Sequence, residues 1–104
     1  MTIKKIKKLL VNAADPVEGI IQENHCTKVS LIGFENGMML REKQVDYSTK
    51  LVVLSGSVKY YEADKQLTLK QYDEFNIPTD VTHYIVADEQ SLCLLTEDRL
   101  NQNN

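Results

Sequence analysis

The sequence predicts an all-β fold, an antiparallel sandwich or barrel behind one short N-terminal helix, on three observations. Beyond residue 16 the apolar residues come in short runs rich in valine, isoleucine, leucine and tyrosine. Turn-forming residues separate those runs at regular spacing. No second amphipathic helical pattern intervenes, whereas a parallel sheet needs a helix-sized crossover between successive strands.

Taken in order, the stretch TIKKIKKLL (2–10) places Ile3, Ile6, Leu9 and Leu10 on one helical face with lysines opposite. The sequence NAADP (12–16) stops that helix, because the residue before a proline avoids helical angles. Strands are then predicted at GIIQE (19–23), TKVSLIGF (27–34), MMLREKQV (38–45), KLVVL (50–54), SVKYYEA (57–63), QLTLK (66–70), EFNIP (74–78), HYIVA (83–87) and LCLLTE (92–97). Turns fall at 35–37, 46–48, 55–56, 63–64, 72–74 and 87–90. Ser55-Gly56 reads as the two-residue turn of a tight hairpin, since glycine reaches positive φ without a Cβ clash. Pro78 lacks an N–H and belongs at a strand end. The chain divides into a helical or extended segment (1–16), a barrel (17–98) and a polar tail (99–104), and the stretch EDRLNQNN (97–104) should fray.

At 104 residues the chain makes one domain with a single modest core. Hydrophobic residues are 42% and charged residues 26%, ordinary for a globular protein, and a formal charge of −3 with mixed signs points to neither nucleic acid nor an anionic membrane. No apolar run approaches the roughly 20 residues of a membrane helix. The basic start lacks the apolar centre of a signal peptide, so a cytoplasmic location is expected. Cys26 and Cys93 are then expected as reduced thiols.

Gly37, Lys43, Val45, Thr49 and Gly56, then Tyr72, Pro78, Asp80, His83 and Ala87, fall on the spacing of two known motifs. The first runs Gly, His-x-His, Glu, Gly, and the second runs Gly, Pro-x-Gly, His, Asn. Both frame glycines of the first and the proline and histidine of the second are present, and LVVLSGSVKYY resembles a hairpin between strands of the same family. On these residues the chain from about 35 to 97 resembles a small single-domain cupin, a jelly-roll barrel also described as a double-stranded β-helix.

The resemblance implies where a metal would sit: cupins that bind one use two histidines and a glutamate from the first motif and one histidine from the second. Three of those positions are Lys43, Val45 and Thr49 here. A lysine ammonium offers no lone pair and repels a cation, valine cannot coordinate, and a neutral hydroxyl is a poor ligand for transition metals. His83 keeps the place of a ligand without the set, so no metal or other cofactor is expected. A rebuilt site from His25, Cys26, Cys93, Glu42, Asp46 and Asp80 is disfavoured. His25 and Cys26 would face opposite sides of a strand, and Glu42 is one position off the motif.

If Lys43 points inward, alternation carries Met39, Arg41 and Val45 with it, along with Thr49, Leu51 and Val53 and then His83, Ile85 and Ala87. Arg41, Lys43 and His83 would share one end of an apolar cavity, with Tyr47, Tyr61 and Tyr84 as rim groups, although by alternation Tyr84 points the other way from His83. That set suits a small anionic metabolite, with Met39, Arg41, Lys43, Thr49, Tyr61 and His83 as ligand-binding residues. Alternatively, Arg41 and Lys43 extend into solvent and His83 is a core histidine bonded to a tyrosine or a carbonyl. The function expected is a small-molecule binding or sensing module. The alternative is a metal-independent enzyme of isomerase or epimerase type, with His83 as catalytic acid or base and Tyr47 or Tyr61 as partner. A homodimer is expected, because open sheet edges and the apolar face of the N-terminal helix seek cover.

Overall fold

The computed structural model describes residues 2–100, apart from the side chains of Glu42 and Lys43. Along these residues run helix α1 (Ile3–Leu10) and strands β1 (Val17–Glu23), β2 (Thr27–Phe34), β3 (Met39–Lys43), β4 (Ser48–Ser55), β5 (Ser57–Glu62), β6 (Lys65–Lys70), β7 (Glu74–Ile77), β8 (His83–Ala87) and β9 (Ser91–Asp98). Every predicted strand is present. The strands form one sheet in the order β1-β2-β9-β4-β7 and a second in the order β3-β8-β5-β6, antiparallel throughout.

The core lies between the two sheets. Ile32, Phe34, Leu51, Val53 and Cys93 of the first sheet meet Val58, Tyr60, Ile85 and Ala87 of the second, all buried. These are alternate residues of their strands, which is why the apolar runs carry a period of two. At an order of magnitude, each fully buried aliphatic or aromatic side chain stabilises the fold by about 1.5–3 kcal/mol.

Helix α1 lies on the outer face of the first sheet. Thr2 caps it, its hydroxyl oxygen accepting the Lys5 N–H at 3.2 Å. Ile6 and Leu10 are buried against Leu31 and Leu92. Gly33 permits that approach, since a Cβ there would stand 2.6 Å from Ile6 Cγ2 and 2.9 Å from Leu10 Cδ1. Of the four apolar residues expected on the buried face, Ile3 and Leu9 remain 44% and 47% exposed. An eight-residue helix on a sheet makes its closest contact through one i, i+4 pair, here Ile6 and Leu10.

Three expectations need correction. Ser55-Gly56 is not the turn of a hairpin: β4 pairs with β9 and β7, whereas β5 pairs with β6 and β8. The chain turns a corner there from one sheet into the other. Gly56 has φ +89°, and a Cβ on it would run into the Gln90 carbonyl oxygen and the Ser91 side chain. Second, the pairing of β3 with β8 slips between Leu40, opposite Ile85, and Lys43, opposite His83. This bulge reverses the alternation partway along β3. Third, the stretch expected to fray is paired at its start, since β9 runs to Asp98. Arg99 donates to Glu23, Glu97 and the Asn24 carbonyl at 2.9–3.1 Å, and its N–H donates to the Cys26 carbonyl. Residues 101–104 lie outside the described residues.

Candidate functional site

Opposite rungs of the two sheets bring polar residues together at one end of the barrel. In the first sheet Lys28, Glu97, Thr49 and Ile77 are successive register partners across β2, β9, β4 and β7. In the second sheet Lys43, His83 and Glu62 are register partners across β3, β8 and β5. The next rungs inward are mostly apolar, with Ser30, Leu95, Leu51 and Phe75 facing Leu40, Ile85 and Tyr60.

A cavity of about 40 Å³ lies between them. Its polar lining is Glu18, Lys28, Ser30, Thr49, His83 and Glu97, and Leu40, Ile77, Ile85 and Leu95 are among its apolar walls. That volume holds about three waters, far below the roughly 300–1,000 Å³ of a site that engulfs a metabolite.

His83 is 2% exposed. Its ring stacks on Tyr60 with centroids 5.5 Å apart, and its Nδ1 stands at a long 3.4 Å from the Val81 carbonyl oxygen. The Tyr60 hydroxyl donates to Glu62 Oε1 at 2.6 Å, and burial together with that bond raises its pKa. The Thr49 hydroxyl, 4% exposed, donates to the Tyr47 carbonyl at 2.9 Å. Lys28 approaches Glu18 at 3.9 Å, too far for a hydrogen bond, while Glu97 accepts from Arg99 at 3.1 Å. Glu23 and then Glu97 hold the Arg99 guanidinium pKa above its ordinary value.

Of the residues expected to bind a ligand, Thr49 and His83 meet in this cavity, and Val45, the remaining described motif position, lines it too. Met39 and Arg41 do not: Met39 is 45% exposed and Arg41 is exposed. The β3 bulge is the reason, since Leu40 rather than its neighbours faces the core before the slip. The Lys43 side chain lies outside the described residues, and its backbone pairs with His83. Tyr61 stacks on Tyr84 on the outer side of the second sheet, and Tyr47 lies under the Arg99 guanidinium, 5.7 Å from ring centre to Cζ. Arg41 therefore takes no part in the cationic end expected of it with Lys43 and His83. Glu18, Lys28, Ser30 and Glu97 were missed because the two motifs do not reach β1, β2 and β9. Alternation within TKVSLIGF was the available signal, since Lys28 and Ser30 share a face with Ile32 and Phe34.

Among the described residues no three histidine, cysteine, aspartate or glutamate side chains converge as metal ligands. No helix there is long and apolar enough to cross a membrane.

No family model matches the sequence, and no curated protein sequence does. Solved structures do match in fold. A cupin superfamily protein from Desulfitobacterium hafniense aligns with a TM-score of 0.78 at 17% identity, over 84% of this chain and 80% of that one. A cupin-2 domain protein from Shewanella frigidimarina aligns at 0.72 and 20% identity, over 95% and 94%. A Klebsiella pneumoniae protein with a double-stranded β-helix domain aligns at 0.78 and 14% identity, over 94% and 90%. At these identities the likeness is one of fold: the architecture is the cupin barrel.

Proposed function

We propose that this cupin-fold chain is a small-molecule binding module, with the polar end of its barrel as the site. The observation that carries this reading is Lys28. It is partly buried in the cavity lining, and its nearest carboxylate is 3.9 Å away. An ammonium so placed has donors to offer an incoming carboxylate, and Thr49, His83 and Glu97 stand around it to meet hydroxyl groups. The cavity admits only the polar head of a ligand, so the rest of the molecule lies across the mouth. This keeps the anionic class expected from the sequence and moves its anchor from Arg41 to Lys28.

A thermal-shift series of small hydroxy acids tests the reading. Binding should stabilise the fold by mass action, about 2.7 kcal/mol at a hundred times the dissociation constant. Lys28→Met should remove the shift, Arg41→Met should leave it, and chelator should change neither. Absence of any stabilisation beyond that of matched chloride would sink the proposal. Nothing comparable favours acid–base catalysis by His83. The tyrosines expected to assist it stand elsewhere, and the hydroxyl of the tyrosine that does pack on it is given to Glu62.

We also propose that the chain pairs as a homodimer. Strand β1 is an edge of its sheet and carries Ile20 and Ile21 exposed, and the neighbouring α1 exposes Ile3 and Leu9. An apolar, unpaired edge of this kind invites a second copy.

A further inference from the structure

Beside the barrel mouth, on the outer side of the same wall, a groove of about 460 Å³ is lined by Gln44, Tyr61, Ala63, Asp80, Val81, Thr82 and Tyr84. Successive residues of extended chain divide between the two sites. Val45, His83 and Ile85 line the interior cavity, and Gln44, Thr82 and Tyr84 line the groove. The groove is thus separate from the interior site, and its chemistry stands whether or not that site binds anything.

Tyr61 and Tyr84 are register partners on β5 and β8, and their rings stack with centroids 4.7 Å apart and planes 12° from parallel. Asp80 enters from the turn between β7 and β8. Its N–H donates to the Val45 carbonyl at 3.3 Å, which holds that turn against the loop after β3. Gln44 Nε2 donates to Thr82 Oγ1 at 3.4 Å across the same wall. Two of the three described non-glycine residues with positive φ, Ala63 at +50° and Asp80 at +62°, border the groove. Such backbone costs free energy and clusters at binding sites.

Among the described residues the one charged group lining the groove is the Asp80 carboxylate. Aromatic faces present negative quadrupole density, and the Asp80 carboxylate has no ion-pair partner among the described residues. No described lysine or arginine lines the groove. We propose that it binds a small organic ammonium ion, tertiary or quaternary, held on the tyrosine pair and balanced by Asp80. Such cations are weakly hydrated and gain most from aromatic faces. A compact inorganic cation keeps its water, and an anion would face the Asp80 carboxylate with no described lysine or arginine in the lining to balance it. The volume falls within the range of about 300–1,000 Å³ typical of small-molecule sites.

The test is a titration of the intact chain with tetramethylammonium at constant ionic strength, read on tyrosine ring resonances. tert-Butyl alcohol serves as the neutral analogue of similar shape. Saturable shifts of the Tyr61 and Tyr84 rings with the cation, and none with the alcohol, are expected. Asp80→Asn should weaken binding about 3-fold and Tyr84→Leu about 5-fold, while Tyr84→Phe keeps the ring and the affinity. Melting curves establish that each variant is folded, and Tyr61→Leu replaces Tyr84→Leu if the latter is not. Equal shifts with the alcohol, shifts that do not saturate, or indifference to both Asp80→Asn and loss of a ring would each overturn the assignment.

Discussion

Two buried hydroxyl and thiol groups couple the core to pH. Burial pushes the Cys93 thiol up to about 12, whereas in an unfolded chain a cysteine ionises near pH 8.5. Between those limits the folded state keeps a proton that the unfolded state gives up, so stability is full below about 8.5 and falls as pH rises toward 12. Tyr60 is displaced in the same direction, by burial first and by its hydrogen bond to Glu62 second. Urea unfolding between pH 8 and 10.5 should show a stability loss approaching about 1.4 kcal/mol per pH unit from Cys93, with Tyr60 adding to it only above about pH 10, where an unfolded tyrosine ionises. Cys93→Ala should lower stability at pH 8 by leaving a small void, yet flatten that slope. A slope unchanged by Cys93→Ala would show that the thiol is not titrating as its burial demands.

At the scale of elements, two connections of similar appearance carry opposite demands. The corner at Gly56 needs glycine twice over, for φ +89° and for the space taken by Gln90 and Ser91, with Ser91 Cα 2.7 Å from where a Cβ would stand. Backbone of the β8–β9 connection is the obstacle, and the Ser57 N–H bond to Ser91 Oγ at 3.0 Å ties it in place. Gly56→Ala should therefore destabilise by 3 kcal/mol or more, an order-of-magnitude sum of left-handed strain and forced displacement, ~1–2 kcal/mol of it from φ alone. The β5–β6 turn holds Ala63 at φ +50°, where glycine would be relaxed. Ala63→Gly should gain up to about 1 kcal/mol, the relief of strain being partly offset by the greater freedom of glycine in the unfolded chain. Denaturant midpoints of the two variants should move in opposite directions, and movement in the same direction would refute this account of the turns.

For the whole molecule, charge and apolar exposure are unevenly spread. Four of the twelve lysines and arginines, Lys4, Lys5, Lys7 and Lys8, sit on α1. Close to that helix, edge strand β1 exposes Ile20 and Ile21 at 45% and 49%. Light scattering at tens of micromolar protein should give twice the chain mass of 11.9 kDa. Ile21→Lys, which places a charge on the edge, should return it to the monomer without loss of the fold. A wild-type chain that stays monomeric at that concentration removes the dimer proposal.

The sequence alone determined the strand set, the N-terminal helix, the β7 stop at Pro78 and the inward rows Thr49-Leu51-Val53 and His83-Ile85-Ala87. All of these follow from local periodicity and from what single residues permit. It also made legible which residue types, Lys43, Val45, Thr49 and His83, stand at the motif spacing, because ligand chemistry belongs to residue type. What it could not reach depends on partners distant in the chain. Whether Ser55-Gly56 closes a hairpin or turns a corner is decided by which strands take the hydrogen bonds of β4 and β5, and both local sequences permit either. The faces of Met39 and Arg41 turned on a bulge set by the register of β3 against β8, a pairing that no window of the sequence contains. Lys28 and Glu97 stand 69 positions apart and become neighbours only when β2 pairs with β9. The candidate site is made of such pairings, so tertiary structure, not composition or motif, placed Lys28 at its mouth.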